Sequence, residues 1–327
     1  MRVNVGSIGW AHSENLAGVI SPDYVVFSCT PKIDPRLLYW FLTSEAGLRA
    51  INLQTAGSVR ERLYFASLAR VAMPLPPMEE QRRVVGRLSS AAVQFERLAA
   101  LRSEVLAELD ALTLAFAGSI FSRRNATHWQ TKNLGEIADV RAGVTLGRKL
   151  AGKTLRLPYL RVANVQAGHL DLREVKEVEI FPHERERWML LPGDILLTEG
   201  GDWDKLGRGA VWNGEIPDCI HQNHIFRLRV DSEQFNSYFL AAQIGSPEGK
   251  AYFQAASKQT TNLASINQRQ LKALPVFCPS LAEQQRTIAR LNQFHGKARQ
   301  LQLLATELEN EIAGLKASIL NRTFLGS

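Results

Sequence analysis

The stretch "PPMEEQRRVVGRL" at residues 76–88 returns as "PSLAEQQRTIARL" at 279–291, an offset of 203 positions. Glu80, Gln81, Arg83, Arg87 and Leu88 recur as Glu283, Gln284, Arg286, Arg290 and Leu291. In both copies prolines end the preceding segment and an acid follows within a turn. That is the chemistry of a helix start: proline lacks an amide that the first turn would leave unpaired, and a carboxylate meets the positive end of the helix dipole. A repeat at fixed offset organises the whole chain.

Each start leads into a long apolar heptad. The later seam is Phe294, Ala298, Leu301, Ala305, Leu308, Ile312, Leu315 and Ile319; subtracting 203 gives Ala91, Phe95, Leu98, Arg102, Val105, Leu109, Leu112 and Phe116. The spacing alternates four and three, and Arg102 is the one intrusion. Such a pattern predicts two helices of about 40–45 residues, on the order of 60–65 Å long, paired as a coiled coil. Two separate amphipathic helices, each packed on its own domain, are the other arrangement the pattern allows. The interface candidates are Phe95, Leu98, Leu109, Leu112, Phe116, Phe294, Leu301, Leu308, Ile312 and Leu315.

These helices divide the chain into 1–77, a helix in 78–124, 125–277, and a helix in 278–327. Residues 125–277 carry Gly- and Pro-rich turns and short alternating runs, with a helical stretch at 233–257 broken around Gly245 and Pro247; the fold class expected is α+β. Residues 1–77 resemble only the last part of that domain. "GSIGW" (6–10) parallels "GAVWN" (209–213), "DYVVFSC" (23–29) parallels "NHIFRLR" (223–229), and 34–58 parallels the helical stretch. At offset 203 Met1 corresponds to Asp204, so residues 125–203 have no earlier counterpart. A half-domain is expected to expose apolar surface unless another segment or chain completes it.

Bulk properties narrow the function. No apolar run approaches membrane-spanning length. Three widely spaced cysteines, Cys29, Cys219 and Cys278, fit a reduced cytoplasmic protein and give no zinc spacing. His221 and His224 sit where the pattern reads as strand, with positions three apart on opposite faces, so a structural or DNA-facing role is expected in place of a metal pair. Net charge is +7, which suits an acidic partner. Between Asp139 and Asp171 there are Arg141, Arg148, Lys149, Lys153, Arg156 and Arg161, and no acid.

Inside that basic stretch "GRKLAGKT" (147–154) fits the phosphate-loop pattern G-x-x-x-x-G-K-[ST]. Such a loop needs a buried strand before it and a helix after it. Upstream lies "NLGEIADVRAGVT", a poor central strand. Downstream, Pro158 falls four residues after Thr154, and the run around it reads as strand. An ATPase is the weaker reading. "DLREVK" (171–176) has a nuclease-like Glu-x-Lys, but its first acid lies too near. No S-adenosylmethionine loop, methyltransferase tetrapeptide or Ser/His/Asp arrangement stands out.

The two Pro-rich Glu-Gln-x-Arg entries, "LLTEGGDWDKLGRGAVW" (196–212), "CIHQNHIFRLR" (219–229) and "PYLRVANVQAGHLDL" (158–172) resemble the DNA-specificity (S) subunit of type I restriction–modification systems over nearly the whole chain. The resemblance implies mixed α/β target recognition domains joined by two long antiparallel coiled-coil helices that act as a spacer, each domain reading half of a split double-stranded DNA site. On that reading 1–77 is the C-terminal half of a first recognition domain and 125–277 a complete one. It implies a non-catalytic subunit that binds no cofactor itself. The methyltransferase (M) subunits use S-adenosylmethionine, and the restriction (R) subunit uses ATP and Mg. Self-association, or a truncated or silent subunit acting only through its coiled coil, remains open.

DNA readers divide the work: Arg, Lys and backbone amides on phosphates give affinity, and side chains on base edges give specificity. Phosphate candidates are Arg148, Lys149, Lys153, Arg156 and Arg161, with Asn164 beside them. "TEGGDWDKLGRG" offers Glu199, Lys205 and Arg208 as recognition-loop candidates, and "SKQTTNLASINQRQ" (257–270) offers Lys258, Gln259, Thr260, Thr261 and Asn262. A solvated loop, a tight hairpin and a polar helix cap are the structural readings of the same three stretches.

Overall fold

The structure, a computed structural model, describes residues 8–11, 21, 24, 26–55, 65–201, 206–259 and 264–325, without the side chains of Thr55, Lys258 and Gln259. In chain order its elements are α1 (Pro35–Thr43), α2 (Glu45–Thr55), α3 (Phe65–Leu68), α4 (Met78–Phe121), β1 (Gln130–Asn133), α5 (Leu134–Ile137), β2 (Ala138–Ala142), β3 (Leu155–Leu160), β4 (Lys176–Ile180), α6 (Arg185–Trp188) and β5 (Ile195–Thr198). There follow β6 (Gly200–Gly201), β7 (Gly209–Val211), β8 (Ile220–His221), β9 (Ile225–Val230), α7 (Ser237–Ile244), α8 (Pro247–Ala256), β10 (Lys258–Gln259), β11 (Ala264–Ser265), α9 (Gln268–Lys272), β12 (Pro275–Cys278) and α10 (Leu281–Leu325). The class is α+β, and the repeated entries open helices of 44 and 45 residues. Two compact units form: Met1–Ala107 with Gln300–Ser327, and Glu108–Arg299.

The second unit is built on an antiparallel sheet in the order β2-β9-β5-β7. One face, with Val140, Ile195, Leu197, Phe226 and Leu228, packs on Phe239 and Leu240 of α7, Phe253 of α8, Phe121 and Leu291. The other face, with Leu196 and Ile225, packs on Leu160 and Trp212. β9 is therefore apolar on consecutive residues, because it is covered on both sides. Its one buried charge, Arg227, is ion-paired to Asp139, and Arg229 forks onto buried Asp194 at 2.6 and 2.7 Å. A second sheet runs β4-β3-β8, and β1 pairs with β12. The helical stretch breaks at Gly245 because Ser246 caps a new helix and Pro247 opens it.

In the first unit α1 and α2 pack Phe41, Leu42 and Ile51 with Leu68, Val71, Met73 and Phe324. The Phe41 and Phe324 rings meet edge to face at 5.5 Å. Ser44 receives the Gly47 amide as Ser246 receives that of Gly249, so the turn between the paired helices is the same in both units.

The repeated glutamine explains why the motif recurs. Gln81 Oε1 accepts the Asp34 amide at 2.8 Å, and its Nε2 donates to the carbonyls of Pro76 (2.9 Å) and Lys32 (3.0 Å). Gln284 Oε1 accepts the Asn236 amide at 2.7 Å, and its Nε2 donates to Pro279 (2.9 Å) and Gln234 (3.4 Å). Each buried amide ties the long-helix entry to the N-cap of the short helix before it.

The pairing seam is narrower than the heptad suggests. In the second unit Phe116 stacks on Phe294 at 4.3 Å. Phe121, further along α4, shares its core with Leu291 and Ile288, earlier on α10, so the helices run antiparallel. In the first unit Arg102 Nε donates to the Ala305 carbonyl at 2.9 Å, and the guanidinium pairs with Glu309. Arg102 and Ala305 are equivalent positions, which meet across an antiparallel pair only at its local twofold. The inward row is Phe95, Arg102, Leu109 and Phe116 on α4, and Leu291, Phe294, Ala298, Ala305 and Ile312 on α10. Leu98, Leu112, Leu301, Leu308 and Leu315, expected inside, are 41%, 55%, 51%, 43% and 54% exposed. Two cylinders touch along one line, and a row three residues on lies about 60° round the helix. Burying that row takes a further helix.

Candidate nucleic-acid interface

The phosphate-loop lookalike has no phosphate-loop architecture. Residues 145–154 form no helix, and strand β3, with Pro158 inside it, follows directly. No helix N-terminus stands behind Lys153 to hold a nucleotide's phosphates, which removes the ATPase reading. Gly147 and Gly152, at φ 74° and 104°, instead shape an open loop that other residues would enter only with strain.

The basic stretch is largely neutralised from within. Arg148 forks onto Glu184 at 2.7 and 3.0 Å and lies 5.1 Å from the Trp188 ring centre; the hydrogen bonds from Arg148 hold the Glu184 carboxyl below its ordinary range. Arg156 pairs with Glu177 at 2.8 Å, and Arg161 with Glu174 at 3.2 Å. Lys149 and Lys153 are exposed, and neither takes part in an ion pair recorded among the described residues. Asn164 is 3% exposed and works as an internal bracket. It accepts the Arg161 amide at 2.8 Å and donates to the carbonyls of Asp171 and Glu174 at 2.8 and 2.9 Å. A side chain with its donors and acceptor used in this way cannot also read a base.

The stems of the two polar loops singled out in the sequence meet. β6 pairs with β11, and β11 with β10, so residues 200–201 and 258–259 lie in one three-stranded platform. Gly200 is required there: a Cβ would stand 2.8 Å from the Ala264 carbonyl oxygen. Glu199 anchors the platform. Its carboxylate receives His224 Nδ1 at 2.7 Å, its amide donates to the His224 carbonyl at 3.0 Å, and its own carbonyl accepts the Ile266 amide at 3.0 Å. Arg208 is half-buried, with Nη1 on Gln166 Oε1 at 3.1 Å and Nη2 near the Val162 carbonyl at 3.4 Å. Lys205, Thr260, Thr261 and Asn262 lie outside the described residues, as do the side chains of Lys258 and Gln259.

The two histidines part company. His221 is fully buried against the Trp188 carbonyl, and burial, reinforced by Arg227, pushes its pKa down to about 4. His224 is exposed beside Glu199. Among the described residues no cluster of His, Cys, Asp and Glu could hold a metal ion. In "DLREVK" the Arg173 side chain holds the Asp171 carboxyl down at about 2, while Glu174 is engaged by Arg161 and Lys176. Sequence reasoning gave His224 no specific role and missed Glu184 and Gln166 altogether. Their partners lie 25, 36 and 42 positions away, and no local pattern announces such pairs.

Residues 127–312, more than half of the chain, match the family model for the type I restriction modification DNA specificity domain. The chain is 24% identical over 307 residues to the StySPI specificity subunit of a type I restriction enzyme from Salmonella potsdam, covering 90% of this chain and 65% of that one. It is 22% identical to the EcoKI specificity subunit from Escherichia coli, covering 94% and 67%. It thus spans about two thirds of the length of these relatives. Among solved structures, a chain from a study of complex assembly and conformational transition of the type I R-M system superposes with a TM-score of 0.66 at 21% identity, covering 89% of this chain and 70% of that chain. The HsdS subunit from Thermoanaerobacter tengcongensis gives 0.56 at 20%, with the same coverage.

Proposed function

The chain belongs to the type I restriction–modification DNA specificity family, and on that premise we propose that it is a non-catalytic subunit that reads double-stranded DNA by sequence. The observation that carries this is the matched domain itself, in which the stems of two polar loops, at 200–201 and 258–259, share one three-stranded platform. Lys149 and Lys153, with charge to spare, would meet phosphates; the loops at 202–205 and 260–263 would meet base edges. The second unit would then read one part of a split target.

The rows left outside the helix seam support a partner role. Leu98, Leu101, Val105 and Leu112 on α4, and Leu301, Leu304, Leu308 and Leu315 on α10, are all exposed, which suits docking of further helices. We assign these rows to M subunits, with the R subunit joining through the complex. S-adenosylmethionine, ATP and Mg would be bound by those partners and not by this chain. No described helix is long and apolar enough to cross a membrane, which agrees with a cytoplasmic site of action.

The test is DNA affinity across a salt series for the Lys149→Ala/Lys153→Ala double variant. Two lost phosphate contacts should make the log–log salt slope shallower by about 2 while base preference is kept. An unchanged slope would take the loop out of the interface, and wild-type protein without preference for any sequence in a random-duplex selection would sink the reading as a whole.

A further inference from the structure

Gln243, near the end of α7, is 6% exposed, and its Oε1 is buried with no hydrogen-bond partner among the described residues. The same holds for Oε2 of Glu248, the second residue of α8. A tight bend joins the two positions: the Ser246 hydroxyl donates to the Gln243 carbonyl at 2.7 Å and accepts the Gly249 amide at 3.3 Å. Acceptors held away from water are costly unless a donor meets them, and a carboxylate oxygen more so than an amide.

Both residues line one cavity of about 720 Å³, which lies wholly within the second unit. Trp129, Tyr252 and Phe277 line it too. The Trp129 and Phe277 rings meet edge to face at 6.1 Å, and the Tyr252 hydroxyl is spent on the Gln270 carbonyl at 2.7 Å, which leaves its ring to the cavity. Arg123, also lining it, is exposed. None of the DNA-contact candidates and none of the exposed helix rows contributes to these walls.

We propose that this cavity binds a guanidinium group. A guanidinium is planar and carries five N–H donors when borne on an alkyl stem, so it can meet acceptors on two side chains at once. Its charge is opposite to that of Glu248, and it lies favourably on aromatic faces. The volume also leaves room for the aliphatic stem. Arg123 adds a preference at the far end of the ligand, where a carboxylate is attracted and a second cation repelled. The group can come from free arginine or from an arginine side chain of a protein partner. The inference does not depend on DNA reading.

The test is isothermal titration of the full chain with L-arginine, agmatine, N-acetyl-L-arginine amide and L-citrulline, whose head has the same shape without the charge. We expect saturable binding of arginine, with citrulline and agmatine each weaker, citrulline by at least about tenfold. Glu248→Gln and Gln243→Leu should each weaken arginine by about tenfold or more. Gln243→Leu should leave the urea midpoint unchanged or raised, because it removes an acceptor that has no bond to lose; a glutamine with a purely structural role would lower it. Should that variant fail to fold, Glu248→Gln carries the same test. An acetylated amide that binds as well as arginine points to a protein side chain, and one that binds more weakly points to the free amino acid; either sustains the assignment. No saturable binding of any guanidino compound at millimolar concentration, citrulline equal to arginine, or unchanged affinity in both variants would overturn it.

Discussion

The segments 23–29 and 223–229 are similar in sequence and opposite in fate. In the second, Phe226 is 3% exposed on a central strand; in the first, Val26 is 76% exposed and no strand forms among the described residues. Apolar, β-prone residues are present in both. What differs is the neighbours: β2 and β5 stand beside 225–230, and nothing equivalent stands beside 26–29 among the described residues. Strand propensity here measures fit to a half-built sheet and does not create one. The helical parts behave otherwise, because α1 and α2 satisfy their own backbone bonds and need only a packing face.

The contrast can be broken at three places. Phe226→Ala should cost about 4 kcal/mol in urea unfolding, as core aromatic truncations do, while Val26→Ala should change stability by less than about 0.5 kcal/mol. Equal costs at the two sites would mean that 26–29 is packed after all.

Next in size is an acid effect confined to the second unit. His221, with its folded pKa near 4 against an ordinary 6.5, is neutral when folded. Below pH 6.5 the unfolded chain takes up a proton that the folded chain refuses, so stability is lost as pH falls from about 6.5 to about 4. The full loss is about 3 kcal/mol, and it is absent above pH 7. Position 21, the counterpart in the first unit, is serine and gives no such slope. Urea midpoints measured across that range should steepen for the wild type and flatten for His221→Gln; parallel curves would show that His221 is solvated.

The smallest effect tests where the units agree. Gln284→Ala and Gln81→Ala should each cost about 2 kcal/mol, by leaving one amide and two carbonyls short of partners. A cost at one site alone would mean that the repeated motif has kept its letters and lost its bonds.

The long helices and the helical hairpins were legible, because capping, heptads and turn chemistry are local; their antiparallel pairing came only with the family resemblance. The seam's width was not. The heptad marks apolar rows without saying how many cylinders share them, so Leu98 and Leu301 read as interface and stand outside it. Among site residues, the meeting of the loop stems at 200–201 and 264–265 was hidden in the pairing of β6 with β11, a contact across 63 to 65 positions. Arg148, Arg156 and Arg161 read as free charge because their acids sit on other segments. Asn164 read as a DNA contact for the same reason: its partners are brought in by a turn that its own side chain closes.

The twin glutamine clamps also set a mutational bottleneck. A single nucleotide change turns a glutamine codon into one for glutamate, which matches it in shape. At most helix positions that exchange is mild. At Gln81 or Gln284 it would replace two donated hydrogen bonds with repulsion against carbonyl oxygens and trap a negative charge away from water. These two sites should therefore tolerate fewer single-step variants than the exposed leucines further along the same helices.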